Sequence, residues 1–184
     1  MIKKLIGGYL LLLLMCFVAV LSVVGGMSDT SLLNVNNMGS VEGYSSINNR
    51  VPLLVYATNS HRINSNFGYR IDPMGSEVKF HNGVDYACTY GDPIYAVADG
   101  IVLDSGYGYK GAITVNINHG QGVKSRYVHL QRSYVFVNMM VSQGQQIGEC
   151  GSTGESTGAH LHLGLFIDDV PVDIAPYLRE GSGE

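Results

Sequence analysis

Short apolar runs separated by glycine dominate the C-terminal two thirds of the chain. They begin at Pro93, Ile101, Ala112, Val123 and His160, at intervals of roughly ten residues in several places. This spacing is typical of antiparallel strands joined by turns, and the runs are rich in β-branched residues and tyrosine. Because no window shows the repeat of an amphipathic helix, the pattern predicts a mostly β fold, a compact antiparallel sheet domain over residues 59–180.

The N-terminal pattern is different, because residues 5–24 carry no charged side chain and directly follow Lys3 and Lys4. Twenty residues of helix span roughly 30 Å, the thickness of a bilayer core. The sequence predicts a transmembrane signal anchor within residues 1–24, with the N-terminus inside the cell membrane and the remainder outside. The alternative is a cleaved signal peptide and a secreted domain.

Residues 25–58 are dominated by glycine, serine and asparagine with isolated apolar residues. Such a composition buries too little apolar surface to offset the entropy of ordering, so it predicts a flexible linker. The last four residues, 181–184, are expected to be a tail.

Composition narrows the function further. The chain has 184 residues, a formal net charge of −4 and 14% charged residues, so it offers no basic surface for nucleic acid. Its three cysteines, Cys16, Cys88 and Cys150, are too few for a disulfide framework. Export would permit a bridge between Cys88 and Cys150, but we expect two small buried thiols.

Two short motifs resemble known signatures but lack the neighbouring elements that those signatures require. The glycine pattern of residues 106–111 fits a dinucleotide fingerprint, but a strand pattern follows where a helix is required, so a hairpin loop is expected. Ser156 lies in a Gly-Glu-Ser-Thr-Gly sequence that has the form of a nucleophile elbow. That motif requires an acidic residue and then a histidine later in the chain. Since no histidine follows His162, Ser156 is not expected to be a nucleophile.

Histidines carry the strongest chemical signal. His160 and His162 alternate with leucines, so a strand would present both imidazoles on one face, roughly 6.6 Å apart. His81 and Asp85 flank Asn82-Gly83, a turn-prone pair that would bend the chain and bring them together. Taken alone, each pair is explained equally well by a solvated strand face or an ordinary hairpin.

Together the two pairs indicate a metal site. Neutral imidazoles and a carboxylate are ligands for zinc, and three such ligands with one open position are typical of catalytic zinc. In such a site zinc lowers the pKa of its bound water, and a nearby unligated histidine moves protons. Spacing leaves open which three of the four groups bind, and His129 on another predicted strand is a further candidate for proton transfer.

Four ordered motifs then carry a family resemblance, over about residues 62–178. They are Ser-Asn-Phe-Gly-Tyr-Arg-Ile-Asp-Pro at 65–73, His-Asn-Gly-Val-Asp at 81–85, Tyr-Val-His-Leu at 127–130, and the segment from Gly151 to His162. These motifs strongly resemble the lysostaphin and LytM type of zinc metalloendopeptidase, peptidase family M23. The resemblance implies a groove in a mostly β domain and hydrolysis of peptide cross-links or stems of bacterial peptidoglycan by a zinc-activated water.

By that similarity, His81, Asp85 and His162 would hold one Zn²⁺ and His129 and His160 would be the catalytic pair. Which histidine is the base, and which peptidoglycan bond is cut, stay open.

Roles are also expected for four further residues and for the partners. Ser65 and Arg70 match the family motif and are expected to be scaffold, while His61 and His119 are expected to be loop residues. Peptidoglycan and the membrane are the expected partners, with cell-envelope machinery as a further class, and no oligomeric state is predicted. The alternative function is a non-catalytic member of the same fold that binds the wall or activates an amidase.

Overall fold

The computed structural model describes residues 50–179, which form thirteen β-strands and two short 3-10 helices. The helices are Tyr109–Gly111 and Ala175–Tyr177. The strands are β1 (Ile63–Ser65), β2 (Gly68–Ile71), β3 (Val78–His81), β4 (Val84–Ala87), β5 (Pro93–Tyr95), β6 (Gly100–Tyr107), β7 (Ile113–Gly120), β8 (Val123–Leu130), β9 (Arg132–Ser133), β10 (Met140–Val141), β11 (Gln146–Glu149), β12 (His160–Ile167) and β13 (Val170–Val172).

A large antiparallel sheet organises the described residues. Its strands lie in the order β1-β4-β12-β8-β7-β6-β10, and β13 pairs with β12 outside this path. Two smaller sheets accompany it, β5-β11-β9 and the hairpin β2-β3. The predicted antiparallel β fold is therefore confirmed, and β6, β7, β8 and β12 overlap the apolar runs recognised in the sequence.

Alternation along β12 shows how sequence creates the two faces of the large sheet. Leu161, Leu163 and Leu165 are fully buried, whereas His160 and His162 keep partial exposure. Successive side chains of a strand point to opposite faces, so one face of β12 supplies the core and the other supplies polar groups. Burying each leucine stabilises the fold by about 1.5–3 kcal/mol. The largest buried side chains of this core are Leu54, Tyr86, Ile94, Ile117, Tyr127, Leu130, Ile147, Leu161, Leu163, Leu165 and Ile174.

The glycine-rich segment 106–111 includes the end of β6 and most of the turn that leads to β7, as expected for a hairpin. Gly106 and Gly111 have positive φ angles, 134° and 73°, which glycine adopts without steric cost. A strand follows the loop instead of a helix. A dinucleotide-binding helix N-terminus is therefore absent at this point.

The packed domain begins earlier than residue 59. Leu54, Ala57 and Thr58 are buried, and the backbone of Leu54 is hydrogen-bonded to Tyr177 and Arg179. The expected linker therefore ends before residue 58, because Leu54, Ala57 and Thr58 are buried in the packed domain.

The predicted membrane segment 1–24, linker residues 25–49 and tail 181–184 lie outside the described residues. Within 50–179, no helix has the length and apolar composition needed to cross a membrane.

The prediction of two free thiols at Cys88 and Cys150 is wrong, because the two residues form a disulfide. Cys88 directly follows β4 and Cys150 directly follows β11. Backbone hydrogen bonds from Cys150 to Asp92 (2.8 Å) and from Gly91 to Cys150 (3.0 Å) hold the two segments together. The resulting Cα separation of 6.2 Å lies within the range that a disulfide requires.

Candidate metal centre and active site

Three side chains from different strands converge at one point. His81 Nε2 lies 3.0 Å from Asp85 Oδ1 and 2.9 Å from His162 Nδ1. His162 Nδ1 and Asp85 Oδ1 are also 2.9 Å apart. His81 and Asp85 are buried, and His162 is partly exposed. The structure thus brings together the three residues that the resemblance identifies as metal ligands.

Local backbone structure explains this convergence. His81 ends β3, and the predicted bend at Asn82-Gly83 leads directly into β4, which carries Asp85. His162 lies directly opposite Asp85 in the pairing of β12 with β4. The bend therefore brings one imidazole over the strand pair that presents the other imidazole and the carboxylate.

Gly83 is needed because of this close approach. A Cβ atom added there would lie 2.7 Å from His162 Cε1 and Nε2 and 2.7 Å from the Leu163 carbonyl oxygen. These distances are far below ordinary contact, so only a hydrogen atom fits beside the ring. Gly83 thus allows His162 to occupy its position.

The donor set fits a divalent cation. His81 Nδ1 donates to the Asn66 carbonyl oxygen at 2.7 Å, which leaves the Nε2 lone pair directed at the group. Lone pairs of imidazoles and a carboxylate at 2.9–3.0 Å repel one another unless a cation or a proton lies among them. Two histidines and one carboxylate form a ligand set that suits zinc.

Asp85 also has a partner outside this group. Arg70 Nη2 lies 3.2 Å from Asp85 Oδ2, the carboxylate oxygen that does not contact the histidines. Burial alone would raise the pKa of Asp85, but hydrogen bonds and charge interactions with His162 and His81 hold that pKa below its usual range. The scaffold role expected for Arg70 is thus an orienting contact with a candidate ligand.

His129 and His160 lie next to the candidate metal group, with ring centroids 4.7 Å apart. His129 Nδ1 donates to the Thr153 carbonyl oxygen and His160 Nδ1 donates to the Gly158 carbonyl oxygen, both at 2.8 Å. Each bond selects the tautomer whose Nε2 lone pair is available as a proton acceptor. Burial lowers the pKa of His129, although the bond to Thr153 opposes this effect.

A β-bulge positions His129. Val115 of β7 pairs with Tyr127 of β8, whereas Ile113 pairs with Leu130, so β8 has one extra residue between these pairs. His129 has a φ angle of 67°, in the left-handed region that non-glycine residues rarely adopt. Bulges next to active sites redirect side chains. Here the bulge interrupts the alternation that would otherwise bury His129 beside Tyr127.

Asp85, His129, His160 and His162 line a groove with a volume of about 340 Å³. Pro73 and Met74 from the β2–β3 loop line it, and a wall over residues 155–159 lines it as well. A larger recess of about 730 Å³ near Arg50 and Arg179 contains none of the histidines. We therefore place the chemistry in the smaller groove.

Ser156 lines the same groove but is poorly placed to be a nucleophile. Its Oγ donates to the Gly158 carbonyl oxygen at 2.8 Å and lies 3.3 Å from His160 Nδ1. Since His160 Nδ1 carries the proton donated to Gly158, it cannot accept one from Ser156. This geometry agrees with the expectation that Ser156 is not a nucleophile.

The remaining histidines lie outside the groove lining. His61 is in a loop, as expected, where its ring stacks on Tyr56 with centroids 3.7 Å apart. The loop expectation for His119 is wrong, because His119 lies within β7 and contacts the Asp99 carbonyl oxygen and Ser125 Oγ. A polar residue such as histidine indicates a loop when only the sequence is known. Here two hydrogen-bond partners allow His119 to be half-buried inside a strand.

Sequence reasoning also missed the backbone groups that orient the imidazoles. The carbonyl oxygens of Asn66, Thr153 and Gly158 each accept a hydrogen bond from one histidine. Every residue has such a carbonyl, so the residue types carry no signal that distinguishes these three. Only the folded chain shows them.

Fold and site together define a β-sheet domain built around a candidate metal centre with two adjacent histidines. Residues 79–174, more than half of the chain, match peptidase family M23. The chain belongs to peptidase family M23.

Named relatives and solved structures agree with this assignment. The peptidoglycan DD-endopeptidase ShyA of Vibrio cholerae is 41% identical over 114 residues, which are 61% of this chain and 26% of that protein. The DD-carboxypeptidase/endopeptidase Mpg of Neisseria meningitidis is also 41% identical over 114 residues, with the same coverage of 61% and 26%. The chain spans about a quarter of the length of these relatives.

Two solved structures show the same fold. A zinc-containing peptidase from Vibrio cholerae aligns with a TM-score of 0.61 and 34% identity, covering 66% of this chain and 39% of that one. The catalytic domain of the antimicrobial peptidase lysostaphin from Staphylococcus simulans aligns with a TM-score of 0.56 and 30% identity, covering 63% of this chain and 90% of that one.

Proposed function

We propose that this chain is a zinc metalloendopeptidase that hydrolyses peptide cross-links of bacterial peptidoglycan. The observation that carries the proposal is the His81, Asp85 and His162 group, of which Asp85 and His162 share one groove with the His129 and His160 pair. Membership of peptidase family M23 supports the reaction class. The names of the relatives, peptidoglycan DD-endopeptidases among them, support a DD cross-link as the bond that is cut.

His81 Nε2, Asp85 Oδ1 and His162 Nδ1 would hold the metal ion. When bound, zinc lowers the pKa of a water molecule and polarises the peptide carbonyl. Arg70 holds Asp85 Oδ2, so Oδ1 stays directed at the two imidazoles. The hydrogen bond from His81 to Asn66 fixes the ring orientation in the same way.

His129 and His160 supply proton transfer. Because their Nδ1 protons are engaged by Thr153 and Gly158, each Nε2 can accept a proton from water at the groove. One imidazole acts as the base and returns that proton to the departing amine. The second, protonated at Nε2 from solvent, donates a hydrogen bond to the oxyanion that forms at the attacked carbonyl.

Digestion of purified peptidoglycan tests the proposal. The full chain with one equivalent of zinc should release fragments whose masses correspond to cleaved peptide cross-links, with new amino termini. His160→Ala should lose this activity, and a zinc chelator should abolish it reversibly. A zinc-loaded chain that binds peptidoglycan but releases no new amino termini would contradict the proposal and favour a non-catalytic role.

We further propose that the domain acts outside the cytoplasmic membrane while the N-terminal segment holds it there. The uncharged run 5–24 after Lys3 and Lys4 supports this location. The native protein should fractionate with membranes and retain its N-terminus on sequencing. A soluble form beginning between Ser22 and Met27 would contradict anchoring and show a cleaved signal peptide.

A further inference from the structure

Arg126 lies on the same face of the large sheet as the candidate metal site. In the pairing of β12 with β8, His162 is opposite Val128 and Gly164 is opposite Arg126. Arg126 is therefore one same-face step along the strand from the His162 row, roughly 6.6 Å away. Gly164, opposite Arg126, contributes no side chain to that row.

Two neighbours restrain the guanidinium of Arg126. Its Cζ lies 4.8 Å from the centroid of the Phe166 ring, and its Nε donates to Asn116 Oδ1 at 2.8 Å. Stacking on an aromatic ring and a hydrogen bond at Nε orient the plane of the guanidinium. The rotamer entropy that binding would otherwise cost is therefore partly lost already.

The terminal nitrogens of Arg126 have no acceptor within residues 50–179, and no carboxylate of this range lies within 4.0 Å. The other cation of the same recess is paired with a carboxylate. Lys124 Nζ pairs with Asp169 at 2.7 Å, and Asp104 Oδ2 accepts from the Asn116 amide at 3.3 Å. Arg126 is therefore the cation of this recess that is available to an outside partner.

The recess has a volume of about 290 Å³, with Leu103, Phe166 and Arg126 among its lining residues. A planar guanidinium with two terminal nitrogens matches a carboxylate by paired hydrogen bonds. We infer that Arg126 forms a carboxylate-binding subsite for an acidic group of the peptide substrate, about two to three extended residues from the bond that is cut. This inference rests on the proposed function, because it assigns a specificity to the same substrate.

Two soluble cross-linked peptides that differ only in whether one stem carboxylate is free or amidated test the subsite. The full chain should favour the free acid, with a KM roughly fivefold lower and an unchanged kcat, since the contact is partly exposed. Arg126→Gln should abolish this preference by raising the KM for the acid only. Lys124→Gln is the matched control, because Asp169 already neutralises Lys124, and it should keep the preference.

Arg126→Lys should recover only part of the preference, because an ammonium group cannot form the paired bonds. A fall in kcat for both peptides in Arg126→Gln, or an equal loss of preference in Lys124→Gln, would overturn the inference. Affinity for both peptides is also measured by calorimetry in the absence of turnover. If the unaltered chain hydrolyses neither peptide, the proposed function fails, and the calorimetric comparison of acid and amide decides the subsite separately.

Discussion

Arg70 Nη2 and Asp85 Oδ2 lie 3.2 Å apart, so the two oxygens of one carboxylate face different partners. Oδ1 faces His81 and His162, and Oδ2 faces the guanidinium. A ligand oriented in this way loses less freedom on binding a metal ion. This relationship predicts that Arg70 influences metal affinity although it is not a candidate ligand.

Arg70→Met should weaken zinc binding by roughly 10- to 100-fold, the usual effect of removing a partner that orients a ligand. Competition with a chromogenic chelator measures this change. Lys79→Met is a control from the same hairpin, because Lys79 pairs with Asp72 and not with Asp85. Equal zinc affinity in Arg70→Met and the unaltered chain would show that Arg70 only supports the hairpin.

His129→Ala and His160→Ala should keep most of the zinc and lose roughly 100-fold or more in rate, the scale of general acid and base catalysis. Elemental analysis and turnover of peptidoglycan fragments measure the two quantities separately. In contrast, His81→Ala, Asp85→Ala and His162→Ala should lose both. Near-normal turnover by either variant of the first pair would contradict the proton-transfer roles.

Gly83→Ala should reduce zinc binding at least tenfold and lower the free energy of unfolding by about 1–3 kcal/mol, because the new methyl group overlaps the His162 ring. Urea denaturation and zinc titration measure the two effects. Gly75→Ala is the matched control, since its Cβ would meet only Asp72 Oδ2 at 3.8 Å. Unchanged zinc affinity in Gly83→Ala would mean that the turn can move away from the ring.

The Cys88–Cys150 bridge closes a loop of 62 residues. Chain-entropy arguments give it a stabilising effect of roughly 4 kcal/mol, which Cys88→Ala or reduction should remove. Thiol titration of the unreduced, denatured Cys16→Ser chain should find no free thiol. Two free thiols in that titration would exclude the bridge.

His119 predicts a dependence of stability on pH. Burial lowers its pKa from the ordinary value near 6.5, so the folded chain binds fewer protons at this site than the unfolded chain does. Its contribution to stability is therefore present above about pH 6.5 and decreases as the pH falls below that value.

Urea midpoints at pH 7.5 and pH 5.5 test this dependence. The loss on acidification should be smaller in His119→Gln than in the unaltered chain. An identical loss in both proteins would show that other groups cause the whole effect.

The sequence predicted those parts of the site that depend on local geometry. Alternation predicted that His160 and His162 share a strand face, and the turn at Asn82-Gly83 predicted that His81 approaches Asp85. The Cys88–Cys150 bridge could not be predicted in this way, because it joins the ends of β4 and β11, which belong to different sheets. The family motifs identified Arg70, but only the folded chain shows that its partner is Asp85.

The extra residue in β8 affects both the backbone conformation of His129 and the position of its imidazole. Without Val128, simple alternation would keep Tyr127 and Leu130 facing inward and would relieve the left-handed conformation of His129, which costs about 1–2 kcal/mol. The imidazole would then occupy the place of Val128 opposite His162, displaced from its hydrogen bond to Thr153. Deleting Val128 would therefore relieve the left-handed conformation and displace the imidazole at the same time. The backbone cost at His129 and the ring position that the proposed reaction needs thus come from the same extra residue.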